Sequence, residues 1–175
     1  MKHLGTSANA SDIAVKSQLP VSDPTAVLTN NTVATTETVV ARWALPANFL
    51  AAGSNLQGAF AGQVSGTATV AFRVRIGTLG TAADALAATF VTSAAGTANQ
   101  HVFGELLISC FTAGASGTAT AAGVVQFGAL NLAVATGGFA AATVNTTAAL
   151  FVSVTLVQSA AQTYTSRAAT LTRSN

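Results

Sequence analysis

The chain has 175 residues and a mass of 17.3 kDa, enough for one domain with a core of its own and too short for two ordinary ones. Half of the residues are apolar and only 7% are charged, against about a quarter in an average soluble domain. That surface argues against a free monomer and for a protein packed into an assembly. The formal charge of +2 rests on seven basic and five acidic side chains with no Lys/Arg cluster, so no nucleic-acid partner is expected.

Residues 1–34 hold both lysines, Lys2 and Lys16, two of the acids, Asp12 and Asp23, and two of the three prolines, with few large apolar groups. Such a segment cannot bury enough surface to fold alone. It reads as an extended N-terminal arm that orders on a partner or a neighbouring subunit, with a plain disordered tail as the alternative. The domain proper is placed at 35–175. Lys2 is followed by no apolar run, so no secretion signal is expected and a cytoplasmic site of synthesis follows.

From Thr35 to Leu45 a strand is predicted with Val39, Ala41, Trp43 and Leu45 on one side and Thr38, Val40 and Arg42 on the other; Trp43 is a candidate core anchor. Pro46 to Gly53 is a connection with room for a helical turn. Leu56, Phe60 and Val64 then alternate with polar residues, and Val70, Phe72, Val74 and Ile76 alternate with Thr69, Ala71, Arg73 and Arg75. The two runs, joined through Ser65-Gly66, read as a hairpin. Period 2 puts Arg73 and Arg75 on one outward face, where an interface or surface use is expected in preference to catalysis.

A Gly and Thr loop spans 77–84, a weaker strand 86–92 and a turn-rich link 94–99. His101 to Thr112 is the longest strand, with Val102, Leu106, Ile108 and Cys110 inward. Its other face carries Phe103, Glu105, Leu107, Ser109 and Phe111, too apolar for free solvent, so a cover is expected. Thr118 to Phe127 follows as another strand. SGTAT occurs at 65–69 and again at 116–120, which suggests two equivalent hairpins, with chance repetition in an Ala/Thr/Gly-rich chain as the competing reading. Residues 128–148 read as loop, Leu150 to Gln158 as a strongly alternating strand, and Thr163 to Leu171 as the last strand.

Chemistry-bearing patterns are sparse. Cys110 is in phase with the inward residues of its strand and has no partner cysteine, so it reads as a small buried hydrophobe. His101 has no second ligand at metal spacing, and Glu105 has no carboxylate partner nearby in sequence. Asn145-Thr146-Thr147 fits a glycosylation pattern without a secretory context to use it. No charge occurs between Glu105 and Arg167, but glycines and hydroxyl residues interrupt the stretch, so neither a transmembrane helix nor a membrane partner is expected. Phosphate loops, nucleophile elbows and metal spacings are absent from the sequence, so the expectation is no enzyme, no cofactor and no metal.

About eight strands at intervals of roughly ten residues define a sandwich or barrel. The long connection at 128–148 suits a jelly-roll-like antiparallel β-sandwich. The wording RWALPANFLAAGSNLQGAFAGQVSGTATVAFRVRIGT, with ELLISCFTAGASGTATAAGVVQF and NTTAALFVSVTLVQSA further on, resembles structural virion proteins of tailed bacteriophages, of the jelly-roll capsid decoration (cement) type. The likeness covers 35–173 and is one of pattern, with no catalytic motif in it. It implies a homotrimer on the capsid surface that binds the major capsid protein and stabilises the shell. A fibre or knob domain that binds host glycan is the alternative. The expected oligomer or capsid interface comprises Lys2, Lys16, Arg73, Arg75, Phe103, Leu107 and Phe111.

Overall fold

Strict alternation of apolar with small or polar residues favours strands that bury one face. The computed structural model, which describes residues 36–91, 99–128, 131–136 and 141–174, contains ten of them. They are β1 (Thr38–Leu45), β2 (Asn55–Val64), β3 (Val70–Gly77), β4 (Ala85–Val91) and β5 (Gln100–Thr112), then β6 (Gly117–Phe127), β7 (Asn131–Thr136), β8 (Ala142–Val144), β9 (Leu150–Gln158) and β10 (Tyr164–Arg173). The arm, residues 1–34, and the 94–98 link lie outside the described residues.

The strands form two antiparallel sheets packed face to face, an all-β sandwich. Sheet B has the order β1-β9-β3-β4, and sheet A the order β10-β2-β5-β6, with β7 and β8 sharing the free side of β6. β7 also pairs with β4 through Thr89 and Phe90, so backbone pairing runs unbroken from β1 to β10. Between the sheets, Phe72 of sheet B meets Phe60, Tyr164 and Phe127 of sheet A at centroid distances of 5.1, 5.6 and 5.9 Å. Tilted and edge-on contacts of this kind suit ring quadrupoles and add to the burial of large apolar area. Gly104 makes room for this cluster: a Cβ there would lie 2.2 Å from a Phe60 ring carbon. Trp43 is fully buried opposite Val152, as a core anchor.

Several expectations are corrected. The described residues form ten strands where eight were expected, because the short β7 and β8 occupy part of the 128–148 stretch read as loop. Their Ala-rich wording carries too little contrast to show alternation. Residues 46–53 contain no helical turn; Asn48 takes a left-handed φ of 59° that stops one from propagating. In β1 the register shifts between Val39 and Ala41. This bulge turns Val40, expected outward, into the core and leaves Val39 only half-buried.

The most consequential correction concerns β2 and β3. They do not form a hairpin: β2 pairs with β5 and β10, and β3 with β4 and β9. Residues 65–69 instead carry the chain from one sheet to the other. Alternation reports which face of a strand is buried and is silent on which strand lies beside it. The connection is held by the other crossing at the same end, between β9 and β10. Ser65 N–H donates to Thr163 O at 2.9 Å, Ser159 N–H to Thr69 O at 2.9 Å, and Gln162 both receives from Ala68 N–H at 3.1 Å and donates to Ala68 O at 3.2 Å. The second SGTAT copy, by contrast, closes a true hairpin between β5 and β6. The two copies are therefore not equivalent.

Candidate functional site

Two surfaces gather the chemically distinctive side chains, one on the outer face of each sheet. On sheet B, Val74 and Ile76 of β3 point to the core, so Arg73 and Arg75 project outward, as their spacing requires. There they converge on Glu37, the residue just before β1, whose side chain is 13% exposed. Arg75 grips the carboxylate as a fork, Nε to Oε1 at 2.5 Å and Nη2 to Oε2 at 2.8 Å, while Arg73 Nη1 donates to Oε2. Thr155 of β9, fully buried between them, donates its hydroxyl to Oε1 at 2.5 Å. Burial on its own would raise the Glu37 pKa, but the hydrogen bonds from Arg75, Thr155 and Arg73 and the charge of Arg75 outweigh it and hold the carboxyl at about 2.

The cluster extends through the 77–84 loop. Arg75 Nη1 donates to Asp84 O at 2.8 Å. The Asp84 carboxylate accepts the backbone N–H groups of Leu79, Gly80 and Thr81 at 3.1, 2.7 and 3.2 Å, an arrangement that fixes the turn leading into β4. Arg42 is turned away onto the Phe151 ring, with its guanidinium carbon 5.0 Å from the centroid. The buried Ser153 hydroxyl, on the ladder between Arg42 and Arg75, has no hydrogen-bond partner among the described residues. Arg75 is 15% exposed and Arg73 32%, so these guanidiniums are committed to holding the segment before β1 onto the sheet.

Sheet A presents the opposite character. Phe103, Leu107 and Phe111 of β5 are 45%, 42% and 55% exposed, in a row down the middle of the sheet. Between them sits Glu105, opposite Ala59 of β2 and Val124 of β6. Its carboxylate has no hydrogen bond or ion pair among the described residues. A shallow depression of about 570 Å³ runs beside it, lined by Gln57, Ala59, Glu105, Leu107, Val124 and Thr170. Gly123 keeps β5 and β6 close here: with φ at +156°, a Cβ would lie 2.0 Å from Glu105 O.

The remaining candidates are structural. Cys110 is buried, its thiol donates to Thr112 O at 3.3 Å, and burial pushes its pKa up, away from thiolate reactivity. Thr146 of the glycosylation-like triplet is buried and accepts Gly114 N–H at 2.8 Å, while Asn145 caps Thr147. Among the described residues no three His, Cys, Asp or Glu side chains cluster as metal ligands would, and no helix is long and apolar enough to cross a membrane. Lys2 and Lys16 lie outside the described residues. Glu37 escaped the sequence reading because its partners stand 36 and 38 residues further on. The available signal was that it is the only acid between Asp23 and Asp84.

Compared with known proteins, the chain matches no protein-family model, no curated protein and no solved structure.

Proposed function

We propose that the chain is a structural, non-catalytic virion protein that decorates a bacteriophage capsid, binds the major capsid protein and stabilises the shell, acting at the capsid surface as a homotrimer. The observation that carries the reading is the row Phe103, Leu107 and Phe111, close to half exposed on a central strand. Fully burying such a side chain is worth roughly 1.5 to 3 kcal/mol, and three large apolar side chains exposed along one sheet face favour an interface there. The low charge of the chain and the likeness of its wording to phage virion proteins support the same reading. A jelly-roll kinship of the sandwich is part of the proposal: β1 pairs with β9 and β2 with β10, so the first and last strands lie together as they do in a rolled-up chain.

The test mixes the full-length protein with purified capsids lacking it and measures co-sedimentation and capsid survival on heating. Saturable binding, lost in the Phe103→Ser, Leu107→Ser, Phe111→Ser variant, is expected. A protein that ignores capsids and adheres to host cells would overturn the proposal in favour of a glycan-binding knob. Sedimentation of the free protein at micromolar concentration tests the trimer separately.

A further inference from the structure

We infer that the outer face of sheet A is a self-association surface, on which Arg167 of one copy of this chain enters the depression beside Glu105 of a second copy. The inference rests on the assembly reading above and names the contact that makes the assembly. Its first ground is the inventory of charges. The described residues hold three acids and five arginines. Glu37 is bound by Arg73 and Arg75, Asp84 by three backbone N–H groups, Arg42 lies on Phe151, and Arg173 is bonded to Phe49 O and Ser54 Oγ. Glu105 and Arg167 are left. Both are exposed, neither has a hydrogen bond or ion pair among the described residues, and both stand on this one face.

The second ground is their placement. Tyr164 and Ser166 of β10 are buried, so Arg167 projects outward, and the register shift between Ser166 and Ala168 puts the exposed Ala168 on the same side. Across the sheet, Glu105 is level with Ala59 of β2 and Thr170 of β10. Arg167 is therefore two strands away, about 10 Å, and about 8 Å further along. Within one chain the two charges stand side by side and do not meet. The strip between them carries the small side chains of Ala59, Ala61 and Ala168, so a side chain arriving from outside finds its way open.

The third ground is complementarity. A ligand with one charge would satisfy one of the two groups and leave the other bare. A second copy presents a cation and an anion at the same spacing, together with its own Phe103, Leu107 and Phe111 for the apolar row to pack against. The depression suits a guanidinium: the Glu105 carboxylate accepts it as a fork, Gln57 and Thr170 offer oxygens to the remaining N–H groups, and Leu107 and Val124 flank the aliphatic stem. Burial of the apolar row supplies the affinity, while the charge pair fixes the register of the contact. Since each copy carries both halves, copies join reciprocally in a pair or head to tail in a closed ring, of which the trimer proposed above is one.

The experiment measures self-association of the full-length protein by sedimentation over a range of concentrations, with no capsid present. Glu105→Arg and Arg167→Glu are each expected to weaken it about tenfold, by setting like charges against each other. Mixing the two single variants in equal amounts is expected to restore most of it, as is combining both changes in one chain. In the mixture the introduced arginine of one copy faces the introduced glutamate of the other, and the native Glu105 and Arg167 still face each other; a contact within one chain cannot be repaired in this way. Single variants that associate as the parent does, or a mixture no tighter than its components, overturn the inference and leave Arg167 as a guard of the sheet edge. Circular dichroism shows whether each exposed substitution leaves the fold intact. Glu105→Gln and Arg167→Gln, expected to weaken association by a smaller factor, replace any reversal that does not, and their associating as the parent does overturns the inference equally. A parent protein monomeric throughout overturns it together with the trimer, while capsid binding, which enters none of these readouts, stands or falls on its own.

Discussion

Glu37 is the residue whose removal the structure reads most clearly. Its pKa falls from 4.5 to about 2 on folding, so the unfolded chain takes up the proton first as the pH drops. A depressed carboxylate pKa stabilises the fold fully above the unfolded value, and the contribution is lost between about 4.5 and 2. After discounting for the partly solvated Arg73, that contribution is roughly 2 to 3 kcal/mol. Glu37→Gln is therefore expected to lower stability by about 2 kcal/mol at pH 7, with the difference from the parent protein closing as the pH falls through this window; urea unfolding at a series of pH values measures it. Ser153 presents the converse case. Its buried hydroxyl has no partner among the described residues, so Ser153→Ala is expected to leave stability unchanged or raise it by up to about 1 kcal/mol, read from the same curves. The pairing of Arg73 with Arg75 on one outward face was legible from their spacing of two. What they hold was not, because an ion pair between residues 36 or 38 apart leaves no local periodicity.

At the scale of elements, period 2 was enough to place β2, β3, β5, β6 and β9 and to choose the inward residues of β5. It failed where one of two conditions was missing. β7 and β8 lack contrast between their alternate residues, and the β2–β3 junction looks like a hairpin because a short polar link serves equally well to turn a strand back or to lift it into the facing sheet. The deciding contacts are remote: Ala68 bonds to Gln162, and Ser65 to Thr163. Gln162 is buried and satisfies both backbone groups of Ala68. Gln162→Ala leaves that N–H and C=O without their partner and is expected to cost about 2 kcal/mol. Thermal unfolding should then occur several degrees lower. Loss of amide-exchange protection at Ala68 is expected to exceed that at β5, which distinguishes a local opening of the corner from a general weakening.

For the whole molecule, the sequence pointed to an all-β sandwich and to one apolar outer face; the closure of first strands onto last ones emerges only from the fold. β1 starts beside the end of β9, at the end where the two crossings are tied together, and β10 finishes beside the start of β2 at the other end. The chain thus enters the sandwich at one end and leaves it at the opposite one. Pulled by its termini, the molecule is loaded along its strands, so the seven register pairs of β1 with β9, from Thr38–Leu156 to Leu45–Leu150, resist together and do not open one after another. The same sandwich with both termini at one end would unzip under a small force. Single-molecule stretching from Met1 and Asn175 is expected to show one abrupt, high-force rupture, and a force applied through handles at Thr38 and Leu156 a much lower one. A shell protein built this way would carry tension from one attachment point to another through its strongest axis.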